Sequence, residues 1–280
     1  MLFPEITLNC GGRLLSLENP LVMGILNLTP DSFYDGGKFK RESDILHQVE
    51  KMLLEGATII DVGGMSSRPG AKLTDPAEEL NRIRKPIQLI LKKFPDTVLS
   101  VDTIHSKVAR EMVLEGASII NDISAGKYDP KMYQTIAELG VPYILMHMKG
   151  NPEDMQHQPT YEEVTLEILD FFIRQVGKLR AVGVKDIILD PGFGFGKSLD
   201  QNYHLLNNLH TFKILDCPLM TGLSRKSMIY KYLGTGPAEA LNGTTALHMI
   251  ALQQGAGILR VHDVKPAMET IKLFLKLKNI

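Results

Sequence analysis

The chain has 280 residues, 44% of them hydrophobic, and a formal net charge of -1. That content supports a sizeable core, and one barrel domain of about 250 residues fits the length. There is no basic excess to bind nucleic acid or an anionic membrane, and no apolar run long enough to cross a bilayer. Cys10 and Cys217 lie far apart and in no C-x-x-C, which excludes a disulfide framework or zinc site and suits a reducing cytoplasm. The opening Met1-Leu2-Phe3-Pro4-Glu5 lacks a basic-then-apolar leader pattern, so no secretory signal is expected.

Ile6 to Leu17 reads as a β-hairpin turning at Cys10-Gly11-Gly12-Arg13 and covering one end of the core. A strand–loop–helix pattern then repeats. Strands are expected at Leu21–Asn27, Ala57–Gly63, Val98–Asp102, Ser118–Ile123, Pro142–His147, Asp186–Asp190, Leu219–Leu223 and Gly257–His262. Helices are expected at Ser43–Leu54, Asp75–Phe94, Ser106–Leu114, Pro130–Leu139, Tyr161–Val182, Gln201–Leu209, Ala238–Gln253 and Pro266–Leu277, with Asp75 as a cap and Pro76 in the first turn. Strands this rich in Val, Ile and Leu are buried on both faces, as in a parallel sheet with helices outside. Eight such units predict a closed α/β barrel, a (β/α)8 TIM barrel preceded by the hairpin, with a doubly wound open sheet as runner-up. Leu54-Glu55-Gly56-Ala57-Thr58-Ile59-Ile60-Asp61 resembles Leu114-Glu115-Gly116-Ala117-Ser118-Ile119-Ile120-Asn121, a weak internal repeat that fits this. No linker or low-complexity stretch divides the chain, so residues 1–280 are read as a single domain.

In such barrels the active site lies at the C-terminal ends of the strands. There stand Asn27, Asp61, Asp102, Asn121, His147, Asp190, Ser224 with Arg225 and Lys226, and Arg260 with His262. Asp61 and Asp122 are read as structural, stitching strands or capping helices, and His105 as a helix start. Arg68, Arg260, His262 and Asn27, with the hydroxyls of Ser66 and Ser67, suit an anion such as phosphate. Asp102, Asn121 and Asp190 suit a neutral planar ligand whose edge shows N–H donors, because an ionised carboxylate only accepts. Lys226 can meet the opposite edge, and Phe195, in Asp190-Pro191-Gly192-Phe193-Gly194-Phe195-Gly196, can lie along the ring. The loop after the first barrel strand, Leu28-Thr29-Pro30-Asp31-Ser32-Phe33-Tyr34-Asp35-Gly36-Gly37, is rich in turn formers and reads as a lid.

These motifs resemble dihydropteroate synthases over essentially the whole chain: Met23–Gly37, Asp61–Ala71 (DVGGMSSRPGA), Ser100–Thr103 (SVDT), Asn121–Gly126, Met146-His147-Met148 with Gly150-Asn151-Pro152, Asp190–Lys197, Gly222–Lys226 (GLSRK) and Arg260-Val261-His262-Asp263. The resemblance implies condensation of 6-hydroxymethyl-7,8-dihydropterin pyrophosphate with p-aminobenzoate, helped by Mg2+, in a cytoplasmic homodimer. It implies that Asp102, Asn121, Met146, Asp190, Phe195, Gly222 and Lys226 hold the pterin. Asn27, Ser67, Arg68, Arg260 and His262 would hold pyrophosphate, with Asn27 near the metal. Phe33, Pro69, Ser224 and Lys226 would line the aminobenzoate site, and Asp35, Lys226, Arg260 and His262 would serve the chemical step.

The chain departs from the family at Met65, where many members carry Glu, and at Ser67, where many carry Thr. The rival reading is the pterin-binding module of corrinoid-dependent methyltransferases, which needs neither an aminobenzoate lid nor a pyrophosphate site. A non-catalytic pterin-binding protein is a third. Pyrophosphate release that depends on p-aminobenzoate separates the three.

Overall fold

A computed structural model describes residues 6–28, 42–65, 73–150 and 160–278. The hairpin pairs β1 (Thr7–Cys10) with β2 (Arg13–Ser16), antiparallel and in the expected register across Gly11-Gly12. Both glycines have positive φ, which the tight turn requires.

Eight parallel strands follow: β3 (Leu21–Asn27), β4 (Ile59–Gly63), β5 (Val98–Asp102), β6 (Ile119–Asp122), β7 (Tyr143–Met146), β8 (Ile187–Asp190), β9 (Met220–Thr221) and β10 (Ile258–Val261). They pair in chain order from β3 to β8, and β10 pairs with both β3 and β9. A parallel bridge between Leu189 and Leu219, with Leu189 N–H donating to Pro218 O at 2.9 Å, joins β8 to the start of β9. The sheet is therefore a nearly closed barrel, and the open-sheet alternative falls.

Helices cover the outside: α1 (Glu42–Leu54), α2 (Pro76–Lys93), α3 (Ser106–Leu114), α4 (Met132–Leu139), α5 (Val164–Ala181), α6 (Leu199–Asn207), α7 (Ser227–Tyr230), α8 (Leu241–Gln254) and α9 (Val264–Lys278). Asp75 caps α2 by accepting from Ala77 N–H at 2.8 Å. Helix α6 starts two residues earlier than expected. Ser198 and Gln201 form a reciprocal capping box there. The one-turn α7 and the 3-10 segments Leu209–Leu215 and Pro237–Glu239 have no periodic apolar face long enough to show in the sequence.

The alternation of strand side chains separates two cores. Outward residues such as Val22, Ile60, Val62, Leu99, Val101, Ile120, Tyr143, Leu145, Leu189 and Leu259 pack with the helices. Inward residues Met23, Ile59, Val98, Ile119, Ile144, Ile188, Met220 and Ile258, one from each strand, form a floor. Leu8, Cys10, Leu15 and Leu17 of the hairpin close that floor from below. The hairpin is tied by Asn9 N–H to Asp186 Oδ2 at 3.0 Å and by the Arg13 guanidinium to Asp96 O.

Candidate functional site

Two residues beyond the floor, on the same inward alternation, the barrel changes character. Asp61, Ser100, Asn121, Met146, Asp190, Gly222 and Arg260 occupy that position, and Asn27, Asp102 and His262 stand two residues further out. Register pairs Asp102 with Asn121 across β5 and β6, and Met146 with Asp190 across β7 and β8. An apolar floor under a polar ring is what period 2 dictates once each strand switches from Ile or Met to a polar residue.

The ring is held together by Arg260. Its Nε donates to Asp61 Oδ2 at 2.7 Å, and its Nη2 to Asp102 Oδ2 at 2.9 Å. Asn121 Nδ2 donates to the same Asp61 oxygen at 3.1 Å. Asp61 Oδ1 and Ser100 Oγ are buried without a hydrogen-bond partner among the described residues. Burial opposes the charge on Arg260, but the two carboxylates hold its guanidinium above the ordinary value. Asp102 is pushed up to about 7, first by burial, with Arg260 pulling the other way and Asp61, Asp122 and Asp190 adding repulsion. Asp190 is also raised, by burial against the pull of Lys226. Three carboxylates thus face two cations in this layer. That balance favours a ring that donates N–H bonds and tolerates positive charge.

The other wall is the loop after β8. Gly192 N–H donates to Asp190 Oδ1 at 2.8 Å. Lys226 Nζ donates to Phe193 O and lies 4.6 Å from the centre of the Phe195 ring. Burial lowers the Lys226 ammonium to about 8, against the pull of Asp190. A Cβ on Gly222 would stand 3.6 Å from Lys226 Nζ, an ordinary contact, which places Gly222 directly beside the ammonium. Met65, Ile104, Ile123 and Met146 form a separate apolar collar, with Tyr128, Met148 and Phe195 against it. The space between this apolar collar and the polar ring is the candidate slot.

At the rim, Ser224 Oγ lies 3.0 Å from His262 Nδ1 and accepts from His262 N–H at 3.2 Å. The surrounding atoms first, then Arg260, Arg225 and Lys226, push the imidazole down to about 4 despite Asp263, so it is neutral at pH 7. Arg225, between Ser224 and Lys226, turns away. It has φ 54° and forks onto Asp263 with contacts of 2.7 and 3.0 Å. It fixes the GLSRK turn to the end of β10 rather than facing the slot.

The structure thus brings together Asn27, Asp102, Asn121, Met146, Asp190, Phe195, Gly222, Ser224, Lys226, Arg260 and His262 at one end of the barrel. Phe33, Asp35, Ser66, Ser67, Arg68 and Pro69 lie outside the described residues, as does the lid beyond Leu28. One strand-end expectation needs correction. His147 follows inward Met146, so alternation turns it outward, where its ring meets Phe171 edge-on at 4.9 Å. Asp61 stitches strands as read, and because those strands carry Asn121 and Arg260 it is also part of the polar ring. Its inward parity with Ile59 was the available signal. Asp122 is structural as read: it accepts from Ser124 N–H, Gly126 N–H and Tyr143 O–H. His105 starts α3 as read, with Nε2 2.9 Å from Thr74 O. Lys197 and Asn202, unassigned from sequence, underlie the loop after β8.

Comparison with known proteins agrees with this geometry. A family model described as pterin binding enzyme matches residues 23–262. The chain is 46% identical to dihydropteroate synthase of Escherichia coli strain K12 over 264 residues, which is 94% of this chain and 93% of that protein. A crystal structure of Yersinia pestis dihydropteroate synthase with a sulfonamide drug complex superposes with a TM-score of 0.93 at 41% identity, covering 98% of this chain and 100% of that one. Xanthomonas albilineans dihydropteroate synthase with 4-aminobenzoic acid superposes with a TM-score of 0.91 at 37% identity, covering 98% of each chain.

Proposed function

Because the chain belongs to the pterin-binding enzymes, and among them to the dihydropteroate synthases, we infer that it condenses 6-hydroxymethyl-7,8-dihydropterin pyrophosphate with p-aminobenzoate. The products are 7,8-dihydropteroate and pyrophosphate. The observation that carries this reading is the slot itself: Asp102 beside Asn121 and Asp190 beside Met146, facing Lys226 over a closed apolar floor. The methyltransferase-module alternative is not favoured, since the relatives that span nearly the whole chain are synthases.

The residues support a simple chemistry. The aminobenzoate nitrogen attacks the pterin methylene, a C–N bond forms, and the C–O bond to pyrophosphate breaks with its electron pair leaving on oxygen. The nitrogen then gives up a proton to solvent or to the leaving group. No strong base is needed, because the amine is already a nucleophile. Asp190 and Asp102 accept the pterin N–H groups and stabilise positive charge spreading into the ring, Asn121 aligns its edge, and Met146, Phe195 and Gly222 bound its faces. Lys226 reaches the opposite edge. Neutral His262, with Arg260 and Asn27, faces the pyrophosphate, joined by Ser67 and Arg68 of the second loop. A dianionic leaving group would raise the His262 imidazole and recruit a proton to it. Ser224 contributes to the aminobenzoate side, with Phe33 and Pro69, while Asp35 is the carboxylate of the first loop.

Magnesium fits the donors present at one point. Asn27 is exposed at the rim, and its Oδ1 would lie 3.7 Å from a Cβ on Gly63, a side chain that position lacks. Mg2+ keeps most of its waters and takes one or two protein oxygens plus substrate phosphate, so a lone amide oxygen suffices. Asn27 would hold it beside the pyrophosphate, where it would supply charge neutralisation to the leaving group. We also propose a homodimer, supported by exposed Ile250 on α8 and Leu273 and Leu277 on the neighbouring α9, and a cytoplasmic setting, supported by two free cysteines.

The deciding experiment measures pyrophosphate release with and without p-aminobenzoate; release indifferent to p-aminobenzoate would reject the synthase reading. Calorimetry with the bare pterin alcohol tests the slot. Asp190→Asn is expected to lose about tenfold or more in affinity per charge-assisted contact removed, and Asp102→Asn less.

A further inference from the structure

The loop Pro191 to Lys197 gives the slot one of its walls, yet its shape is set from outside the barrel. Gly192, Gly194 and Gly196 all have positive φ. A Cβ on Gly192 would stand 1.9 Å from His147 O, and one on Gly196 2.2 Å from Lys149 O. The loop therefore runs backbone to backbone against the exit of β7. Such a path has few side chains of its own to hold it, and its polar groups need partners.

Two buried side chains supply them. Lys197, 6% exposed, directs Nζ to Gly192 O at 2.9 Å, Phe195 O at 3.0 Å and His147 Nδ1 at 3.1 Å, with His147 O at 3.5 Å. Asn202 on α6, 3% exposed, accepts from Gly194 N–H at 2.7 Å and donates to Lys197 O at 3.2 Å and Ser198 O at 2.6 Å. Residues 192, 194, 195 and 197 are thus all held by these two side chains. On its other face the loop presents the groups of the slot: Gly192 N–H to Asp190, Phe193 O to Lys226, and the Phe195 ring beneath the same ammonium.

A buried lysine is a costly way to fill space. A methionine of similar length would pack the same hole without desolvating an amine. What methionine cannot do is donate to two carbonyls and an imidazole at once. The placement of those donors, rather than stability, accounts for the residue.

We propose that Lys197 and Asn202 are positioning residues for the pterin. They touch no substrate, and they set the distance between Asp190, Lys226 and Phe195 by fixing the loop that joins them. The proposal rests on the pterin reading of the slot. On the aminobenzoate side, Ser224 bonds His262 rather than this loop, so the two pins reach that side through Lys226 alone.

The test uses the full chain carrying Lys197→Met or Asn202→Ala. Affinity for the bare pterin alcohol is measured by calorimetry, and the KM for p-aminobenzoate at saturating pterin pyrophosphate by steady-state kinetics. Lys197→Met is expected to lose tenfold or more in pterin affinity, and Asn202→Ala threefold or more, while the KM for p-aminobenzoate rises by a clearly smaller factor, through Lys226 alone. Equal weakening of both substrates, or unaltered pterin affinity with only a lower Tm, overturns the proposal. Should Lys197→Met not fold, Asn202→Ala decides it alone. Wild-type protein that binds no pterin alcohol rejects the slot reading as well; wild-type binding with unaltered variants rejects only the pins.

Discussion

Arg260 on β10 reaches across the barrel mouth to Asp102 on β5, Nη2 to Oδ2 at 2.9 Å, while its Nε holds Asp61 on β4 at 2.7 Å. One guanidinium therefore spans a residue assigned to the pterin and one that stitches the barrel. Arg260, assigned to the leaving group, thus also holds a pterin residue, and its removal releases Asp102. Arg260→Met should destabilise the fold by about 3–5 kcal/mol, because two buried carboxylates lose their shared cation. Adding Asp102→Asn should recover part of that loss. Denaturant melts of the two single variants and the double variant measure the coupling; strictly additive effects would show that the contact carries no energy.

The pH dependence of pterin binding follows from Asp102 at about 7 and Lys226 at about 8. Asp102 accepts N–H bonds only when ionised, so affinity falls as pH drops through about 7. Lys226 is a cation only when protonated, so affinity falls again as pH rises through about 8. Calorimetry of the pterin alcohol across this range should show a maximum between the two values. Asp102→Asn should remove the acid limb and leave the alkaline one; affinity that is level from pH about 6 to about 9 is incompatible with both assignments.

Glu79 on α2 is fully buried behind Gly64, and a Cβ on that glycine would meet its Cγ at 3.2 Å. Burial pushes its carboxyl up from 4.5 to about 8, against the Thr103 hydroxyl, with Asp102 raising and Arg82 lowering it; the His105 ring is 4.0 Å away. A carboxyl raised on folding adds stability that is complete below its unfolded value and is lost as pH rises to its folded value. Wild-type stability should therefore decline between pH 4.5 and about 8, at about 1.4 kcal/mol per pH unit from this group. Glu79→Gln lacks that slope. Thermal melts of the two proteins should diverge with pH in the variant's favour, and parallel curves would show that the carboxyl ionises freely in the fold.

Met65, where many family members carry glutamate, is 6% exposed in the collar with Ile104, Ile123 and Met146. Among the described residues, the collar neighbours Ile104, Ile123 and Met146 have no group to pair with a carboxylate. Restoring glutamate by Met65→Glu should cost about 2–4 kcal/mol of stability, the range for burying an uncompensated polar group. Met65→Leu should cost under about 1.5 kcal/mol. Comparing their Tm values tests this, and equal values would mean that the side chain at this position escapes to solvent.

Most of the barrel was legible because burial on both faces writes near-continuous Val/Ile/Leu runs, and β5 and α3 fall on the expected residues. The site was legible because inward alternation, once the floor is passed, reaches Asp102, Asn121, Asp190 and Arg260 in turn. His147 was misplaced for the same reason: a residue at a strand end is inward or outward by parity, and only the register settles which. Lys197 and Asn202 were missed because their partners are backbone atoms, brought close by positive φ angles in the Gly-rich loop that leave no pattern of their own.

The hairpin under the floor sets a condition on synthesis. Leu8, Cys10, Leu15 and Leu17 leave the ribosome more than 200 residues before Met220 and Ile258, which belong to the layer they close. Likewise β3, the first barrel strand, finds one of its two neighbours only in β10, the last. Early apolar surface must therefore wait, uncovered, for most of the chain to be made. Contacts of such long sequence separation form slowly and leave the nascent chain open to wrong pairing. A chain stalled before Ile258 would carry an unpaired β3 edge and an unsealed floor, so truncated products should be caught by chaperones and proteases rather than accumulate as partial barrels.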